Sequence, residues 1–384
     1  MTSAEKFRTG LIGLPSYSTL RPDLLLHASR RIAAACRADS IWIPDHLINL
    51  IPASIWQPKY IGAARIAPSA DALYDAWMTL TYHASKAPRS KLRLGIGVTD
   101  TGRHHPAVTA QAAATLHLLG RGRAVLGIGP GERENNEPYG VDWNRPVARF
   151  EEALATIRAL WDSKGEPIYR DSEFFPLRAA VFGLPPYEGT RPPIWVAAHG
   201  PRMLRATGRY ADAWFPAFTQ RPEDYKERLT LVRSAASDAG RDPQSITPAG
   251  VFFIFPGQTR AAVDELMASV PARLFALGVP AKIWADHGAD HPLGSTFTGF
   301  QDLMPQHIDE DTALSFADRV PESLLQQEFL NGTPNEIADQ LAHWRDNGLR
   351  YAVLADMSVF HSKLLHSARG ALPFVTLMRK IRKL

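Results

Sequence analysis

The sequence predicts an α/β barrel of eight parallel strands. Three observations predict it. Eight short apolar runs recur along the 384 residues, with helical patterns between them. The runs are continuously apolar rather than alternating, as strands covered on both faces must be. The last helical pattern is capped, terminated and followed at once by an apolar run, which is the αβ repeat of a barrel. A doubly wound open sheet is the rival architecture. One barrel with insertions can reach about 400 residues, so a single domain over 1–384 accounts for the length.

The first run, 9–14, leads to an amphipathic segment, 22–38, with Leu24, Leu25, Ala28, Ile32 and Ala35 on one face. Run 40–44 is the second strand. The stretch 50–74 then breaks the rhythm; it carries Trp56 and several prolines and reads as an insertion. Run 92–98 is the third strand. The Ala-rich 106–119 opens with Pro in its first turn and reads as a helix. Run 124–129 is followed by 146–161, where Phe150, Leu154, Ile157, Leu160 and Trp161 recur at helical spacing. Runs 193–198, 213–217 and 250–255 are the next three strands. A second insertion, 259–330, has Gly, His and Pro clusters around 287–299. Long insertions of this kind are lids, substrate walls or plain surface structure. Thr333-Pro334-Asn335-Glu336 is a capping box with Pro at the first helical position. Its helix, 335–346, stops at Asn347-Gly348, and run 351–354 completes the set.

Composition narrows the class. With 45% hydrophobic and 21% charged residues the chain is neither disordered, collagenous nor a disulfide scaffold. The charge balance of 43 Lys+Arg against 39 Asp+Glu leaves +4, spread along the chain, which argues against nucleic acid as a partner. The basic tail Arg379, Lys380, Arg382, Lys383 reads as a solvated helix end. Cys36 is alone and suits a reducing compartment. Residues 1–6 lack the apolar run of a signal peptide, and no uncharged window approaches the ~18 residues of a membrane span. A soluble, cytoplasmic protein is expected.

In such a barrel the chemistry sits at the C-terminal ends of the strands. The second strand ends in Pro44-Asp45-His46. The third ends in Gly95-Ile96-Gly97-Val98-Thr99-Asp100. The fourth ends in Gly127-Ile128-Gly129-Pro130-Gly131-Glu132, followed by Asn135. The fifth ends in Ala197-Ala198-His199-Gly200-Pro201-Arg202, and the eighth in Ala355-Asp356. His46 beside Asp45 offers an imidazole for proton transfer near neutral pH, though a His in this position can also be merely hydrogen-bonded. The Gly-x-Gly-x-Gly-Glu run departs from the dinucleotide fingerprint, but its glycines would let the backbone approach a flat ligand. Residues 198–201 open a helix with Arg202 and Arg205, which suits either an anion site or an ordinary βα turn. No metal site is expected, since His104 and His105 are adjacent and have no third ligand nearby in sequence. No Gly-x-Ser-x-Gly elbow exists.

Taken together, several of these segments resemble the luciferase-like flavin and deazaflavin enzymes, in the branch that uses coenzyme F420. The carriers are Ile43-Pro44-Asp45-His46; Gly97-Val98-Thr99 with residues 105–111; residues 126–132 with Asn135; residues 197–201; and Gly332-Thr333-Pro334 with the closing αβ unit. Within that branch the chain is similar to lipid ketoreductases through 100–102, 106–119, 129–140, 146–161 and 197–214, and through 277–280 and Asp290-His291-Pro292 inside the second insertion.

The resemblance implies an enzyme that transfers hydride from reduced coenzyme F420 to the ketone of a long-chain lipid, giving a secondary alcohol. It implies His46 and Glu132 as proton-transfer groups, with Asp45 beside His46. It implies a cis peptide at Gly97–Val98 beneath the cofactor ring, and Asp45, Thr99, Glu132 and Asn135 along the ring. Ala198, His199, Gly200, Pro201 and Arg202 would hold the cofactor's phosphate. Leu50 stands where related sugar-phosphate dehydrogenases carry a Trp; with Ile51 and the later Trp56 it points to an apolar substrate wall. An F420-reducing system, a homodimer and a peripheral membrane contact are the implied partners. An FMN-dependent monooxygenase and a non-catalytic deazaflavin- or lipid-binding barrel are the alternatives.

Overall fold

The computed structural model describes residues 6–217 and 221–384. The start of the chain, expected to lack a targeting signal, lies outside the described residues up to residue 5. The strands are β1 (Arg8–Ile12), β2 (Ser40–Ile43), β3 (Arg93–Asp100) and β4 (Ala124–Gly129), then an antiparallel ribbon of β5 (Ile168–Arg170) and β6 (Leu177–Ala180). After these come β7 (Ile194–Val196), β8 (Ala213–Trp214), β9 (Thr247–Pro256), β10 (Leu330–Gly332) and β11 (Tyr351–Asp356). The parallel order β1-β2-β3-β4-β7-β8-β9-β11 closes on itself, because β8 pairs with β9 and β11 pairs with β1. β10 adds to the outside of β9.

Each of the eight apolar runs is a barrel strand, and the open-sheet rival is excluded by closure. β9 starts at Thr247, earlier than expected. Pro248 and Gly250 obscure its first turn in sequence, yet Pro248 pairs with Trp214 and Gly250 with Ala352.

Helices cover the outside: α1 (Leu24–Cys36), α2 (Ala76–Lys86), α3 (Pro106–Leu119), α4 (Pro146–Asp162), α5 (Pro201–Tyr210) and α6 (Pro222–Asp238). The second insertion folds as α7 (Arg260–Met267), α8 (Val270–Phe275), α9 (Ala281–Asp286), α10 (Glu310–Asp318) and α11 (Glu322–Glu328). α12 (Pro334–Asp346) and α13 (Leu364–Ile381) follow. The capping box of α12 is formed: the Thr333 backbone N–H donates to Glu336 at 2.7 Å, and Thr333 Oγ1 accepts from the Glu336 N–H at 3.5 Å.

The barrel interior is plugged at mid-depth by aromatic rings. Trp42 lies 4.9 Å from Trp195 and 4.5 Å from Phe215, and Trp195 lies 4.9 Å from Tyr351. Ser40 Oγ accepts from both Trp42 Nε1 (2.7 Å) and the Tyr351 hydroxyl (2.8 Å), so the polar edges are satisfied. Glycine makes the room: a Cβ on Gly95 would fall 2.3 Å from the Trp42 ring, and one on Gly127 2.0 Å from the Ile96 carbonyl oxygen.

The two insertions share a second apolar core. Ile51, Ile55 and Ile61 of the first pack with Leu274, Phe275, Trp284 and Phe300 of the second. Glu310 ties them at the surface, accepting from Gln57 (2.8 Å), Tyr60 (2.7 Å) and Lys59. His291 of the Asp290-His291-Pro292 motif stacks on Phe297 at 4.4 Å and donates from Nε2 to the Leu277 carbonyl at 3.1 Å. Burial pushes its pKa down to about 4, so this His is a neutral packing group.

The basic tail is exposed at Arg379, Lys380 and Lys383, as a solvated helix end is, but two of its cations also bond the body of the protein. Arg379 donates to the Ala35 carbonyl at 3.0 Å, and Arg382 to the Arg37 carbonyl and Asp39. Both cations meet carbonyls at the end of α1, where the helix dipole favours positive charge. No helix among the described residues is long and apolar enough to cross a membrane.

Candidate active site

The C-terminal ends of β2, β3 and β4 bring His46, Thr99 and Glu132 to one mouth. Asn135, in the turn after β4, organises it. Its Oδ1 accepts from the backbone N–H groups of Leu47 (2.6 Å) and Ile48 (3.2 Å), which fixes the amide's orientation. Its Nδ2 therefore donates, to Glu134 Oε1 at 2.7 Å and to His46 Nδ1 at 3.0 Å. A proton on Nδ1 would face the amide's own hydrogens. The imidazole is thus held with its proton on Nε2, and Nε2 stands 3.4 Å from Glu132 Oε2. The His46 and Glu132 side chains are 15% and 32% exposed, enough for a ligand to reach both.

Glu134 lies behind this pair with no exposed surface. Its Oε1 is 3.8 Å from His46 Nδ1, and its Oε2 has no partner among the described residues. Burial first, and the neighbouring Glu132 charge next, push its carboxyl up to about 10. Glu134 is accordingly a neutral acid at physiological pH. His46, Glu132 and Glu134 bring three potential metal-ligand atoms within 4.8 Å of one another, a cluster that the search for ligands close in sequence did not find. His46 Nδ1 and Glu134 Oε1, however, already accept from Asn135, and Glu134 is a carboxyl whose pKa is raised by burial.

Asp45 is turned to a different set. Its Oδ2 accepts from Thr99 Oγ1 at 2.7 Å, and lies 3.2 Å from His104 Nε2 and 3.5 Å from Arg103. Burial alone would raise its pKa; the His104 hydrogen bond, the Arg103 charge and Thr99 outweigh it and hold Asp45 below the usual range. Asp45 reciprocates by raising His104. Arg103 also donates to Asp100 Oδ2 (2.7 Å) and to the Asp45 carbonyl (2.6 Å). Asp45 is a buried anchor of the β2–β3 ends.

The Gly97–Val98 peptide is cis, and the β3–β4 register shifts between Ile96 and Thr99. At the far side, α5 begins with Gly200 as an N-cap that offers no side-chain hydrogen bond, and a Cβ at Gly200 would meet nothing within 4 Å. Ala198 is buried and its carbonyl accepts from Trp214 Nε1 at 2.9 Å; His199 is exposed. Pro201 is the first residue of α5, and Arg202 pairs with Glu151, Nε donating at 2.8 Å. Of the apolar wall, Leu50 is half-buried, Ile51 is buried in the insertion core, and Trp56 donates to the Ala67 carbonyl at 2.6 Å.

Sequence reasoning weighed His104 only as a metal ligand, not as a partner of Asp45, and missed Arg103 and Glu134. Arg103 and His104 follow Asp100-Thr101-Gly102, an Asx turn whose Asp accepts the Gly102 and Arg103 N–H groups at 2.9 and 2.7 Å. That turn signal was available. Glu134, inside Gly-Glu-Arg-Glu-Asn-Asn-Glu, reads as one solvated charge among several, and nothing local marks it as buried.

Backbone rather than side chains borders the aromatic plug at this mouth. Glycines 95, 97 and 127 leave no side chain between the backbone and the aromatic plug, and the uncapped start of α5 leaves backbone donors free.

Comparisons with known proteins agree with this fold. A ketoreductase of phthiodiolone and phenolphthiodiolone dimycocerosates from Mycobacterium tuberculosis is 55% identical over 378 residues, covering 98% of this chain and 99% of that one. An F420-dependent secondary alcohol dehydrogenase, solved with an F420-acetone adduct, has the same fold, with a TM-score of 0.74 at 19% identity over 98% of this chain and 99% of that one. The oxygenating constituent of 3,6-diketocamphane monooxygenase of Pseudomonas putida, solved with FMN, superposes with a TM-score of 0.64 at 17% identity over 98% and 97%. The pattern of the luciferase-like monooxygenase family matches residues 33–351. This chain belongs to the luciferase-like monooxygenase family.

Proposed function

We propose that the chain reduces the ketone of a long apolar lipid, of the phthiodiolone dimycocerosate class, to a secondary alcohol at the expense of reduced coenzyme F420. The chain is an oxidoreductase of its family. The ketone and the lipid come from the 55% identical relative, and the cofactor from the fold neighbour named for F420. The residues are compatible with such a group: the exposed His46 and Glu132 edges and the cis Gly97–Val98 peptide at the mouth for a ring, and the N-terminus of α5, which has no side-chain cap, for its phosphate. Gly97, Val98, Thr99 and Asn135 would border the ring. Residues 198–201 would take the phosphate, with Arg202 available only if it leaves Glu151.

When bound, the deazaflavin supplies a hydride to the carbonyl carbon. The carbonyl oxygen then gains negative charge and needs a proton. The observation that carries the reading is the contact of Asn135 Nδ2 with His46 Nδ1 at 3.0 Å, which assigns the imidazole proton to Nε2. Asn135 prevents the opposite tautomer, so the imidazole presents a donor rather than a lone pair to the mouth. As that proton passes to the carbonyl oxygen the neutral imidazole would become an imidazolate, whose Nε2 is reprotonated from solvent with Glu132, 3.4 Å away, as the adjoining carrier. Asp45 acts through Arg103, His104 and Thr99 to hold the strand ends in register.

The test pairs binding with turnover. His46→Ala should abolish ketone reduction and leave the cofactor dissociation constant within a few-fold. Undiminished turnover would remove His46 from proton delivery. Titration of the same protein with FMN and with coenzyme F420 separates the monooxygenase alternative; tight binding of FMN alone would overturn the cofactor assignment.

A further inference from the structure

The opposite end of the barrel carries a second cavity. It has a volume of about 710 Å³ and is formed by the starts of β1 and β3, the end of α1 and the residues just before β4. Eight of its lining residues are cations and one, Asp39, is a carboxylate. That carboxylate is already engaged by the Thr9 N–H at 2.9 Å and by Arg382 at 3.4 Å. Among the described residues, the side chains of Arg31 and Lys91 make no hydrogen bond or ion pair, and that of Arg93 makes none beyond a contact with the Trp195 ring at 5.9 Å. The excess positive charge therefore has no internal counterpart.

His83 gives a second, independent sign. It lines the cavity, is 2% exposed, and neither ring nitrogen has a hydrogen-bond partner. A buried imidazole left without partners is costly, which a ligand acceptor would relieve. Guanidinium groups with a nearby imidazole donor, in a concave pocket, are the donor set that tetrahedral oxyanions select.

We propose that this cavity binds a phosphate-bearing anion, with Arg31, Lys91 and Arg93 supplying charge and His83 a buried hydrogen bond. The proposal is independent of the ketoreductase reading, because the cavity lies at the strand starts and the chemistry at the strand ends. The phosphate has two possible sources, a free polyphosphate compound or an anionic lipid headgroup presented by a membrane.

The experiment uses the full chain and two probes. Sodium pyrophosphate is titrated calorimetrically, and vesicles of phosphatidylglycerol are compared with vesicles of phosphatidylcholine by co-sedimentation. Each is repeated with Arg31→Glu combined with Lys91→Glu, both exposed positions that the fold should tolerate. One-site binding of pyrophosphate, weakened about tenfold or more by the double reversal, supports a free ligand. Binding of anionic vesicles alone, lost in the same variant, supports a headgroup. Binding of neither probe, or binding that the reversal leaves unchanged, overturns the proposal. An unchanged melting temperature of the variant shows that any loss is not misfolding.

Discussion

Replacing Glu134 by Gln should change how stability responds to pH. The structure leaves this carboxyl with no exposed surface, one donor from Asn135 and the charge of Glu132 nearby. In the folded chain burial and the Glu132 charge push its pKa well above the ~4.3 of an unfolded glutamate. The folded pKa is the raised one. Its contribution to stability is thus fully present below the unfolded value and is lost progressively as pH rises towards the folded one. Linkage sets that loss at about 1.4 kcal/mol per pH unit. For a chain of this length that corresponds to about 1.7 °C in Tm per pH unit, or about 5 °C between about pH 5.5 and 8.5. Gln keeps an acceptor for Asn135 and cannot ionise. The melting temperature of Glu134→Gln minus that of the wild type, measured by circular dichroism at each pH, should therefore climb by about that amount, other titrations cancelling. A difference that stays flat with pH would refute the conclusion that Glu134 is a neutral acid in the native protein.

Asn135→Asp keeps the acceptor for Leu47 and Ile48 but removes the donor that fixes His46; imidazole ¹⁵N spectra should show a proton appearing on Nδ1, and a spectrum unchanged from wild type would contradict the assigned tautomer. Arg103→Met leaves Asp45 and Asp100 without their buried cation and should cost about 3–5 kcal/mol in urea unfolding at neutral pH. Asp45 has a depressed folded pKa, so its contribution is present above about pH 3.9 and fades as pH falls; the penalty of Arg103→Met should shrink in acid, and a constant penalty would count against the ion pair as its cause. Gly127→Ala sets a Cβ 2.0 Å from a backbone oxygen of β3 and should lower stability by about 1–3 kcal/mol, while Gly200→Ala, with open space around it, should stay within about 0.5 kcal/mol. Equal melting temperatures for the two variants would argue against the tight inward packing of β4.

The barrel was legible because parallel strands buried on both faces leave unbroken apolar runs, and because punctuation was explicit: Pro106 opens α3 and Thr333 caps α12 where expected. The start of β9 is hidden in the sequence because Gly250 and Pro248 are weak strand formers that partner strands nevertheless accommodate. At the site, the strand-end rule located His46, Thr99, Glu132 and Asn135. It could not reveal that Asn135 aligns the imidazole, since that contact spans 89 positions in sequence. Asp45 looked like a partner of its neighbour His46; its actual partners, Thr99, Arg103 and His104, arrive from the next strand and its turn. The shared core of the two insertions joins residues some 250 positions apart, as in the Ser54 hydroxyl on the Ile308 carbonyl at 2.8 Å, and no local pattern encodes it.

The stopper formed by Trp42, Trp195, Phe215 and Tyr351 makes the cylinder a blind shaft. A shaft with one doorway imposes a queue: whichever reactant settles deeper must enter first and leave last. If the proposed cofactor and lipid share that doorway, steady-state kinetics should follow an ordered sequence rather than a random one, and an excess of the shallower occupant should trap the deeper one inside.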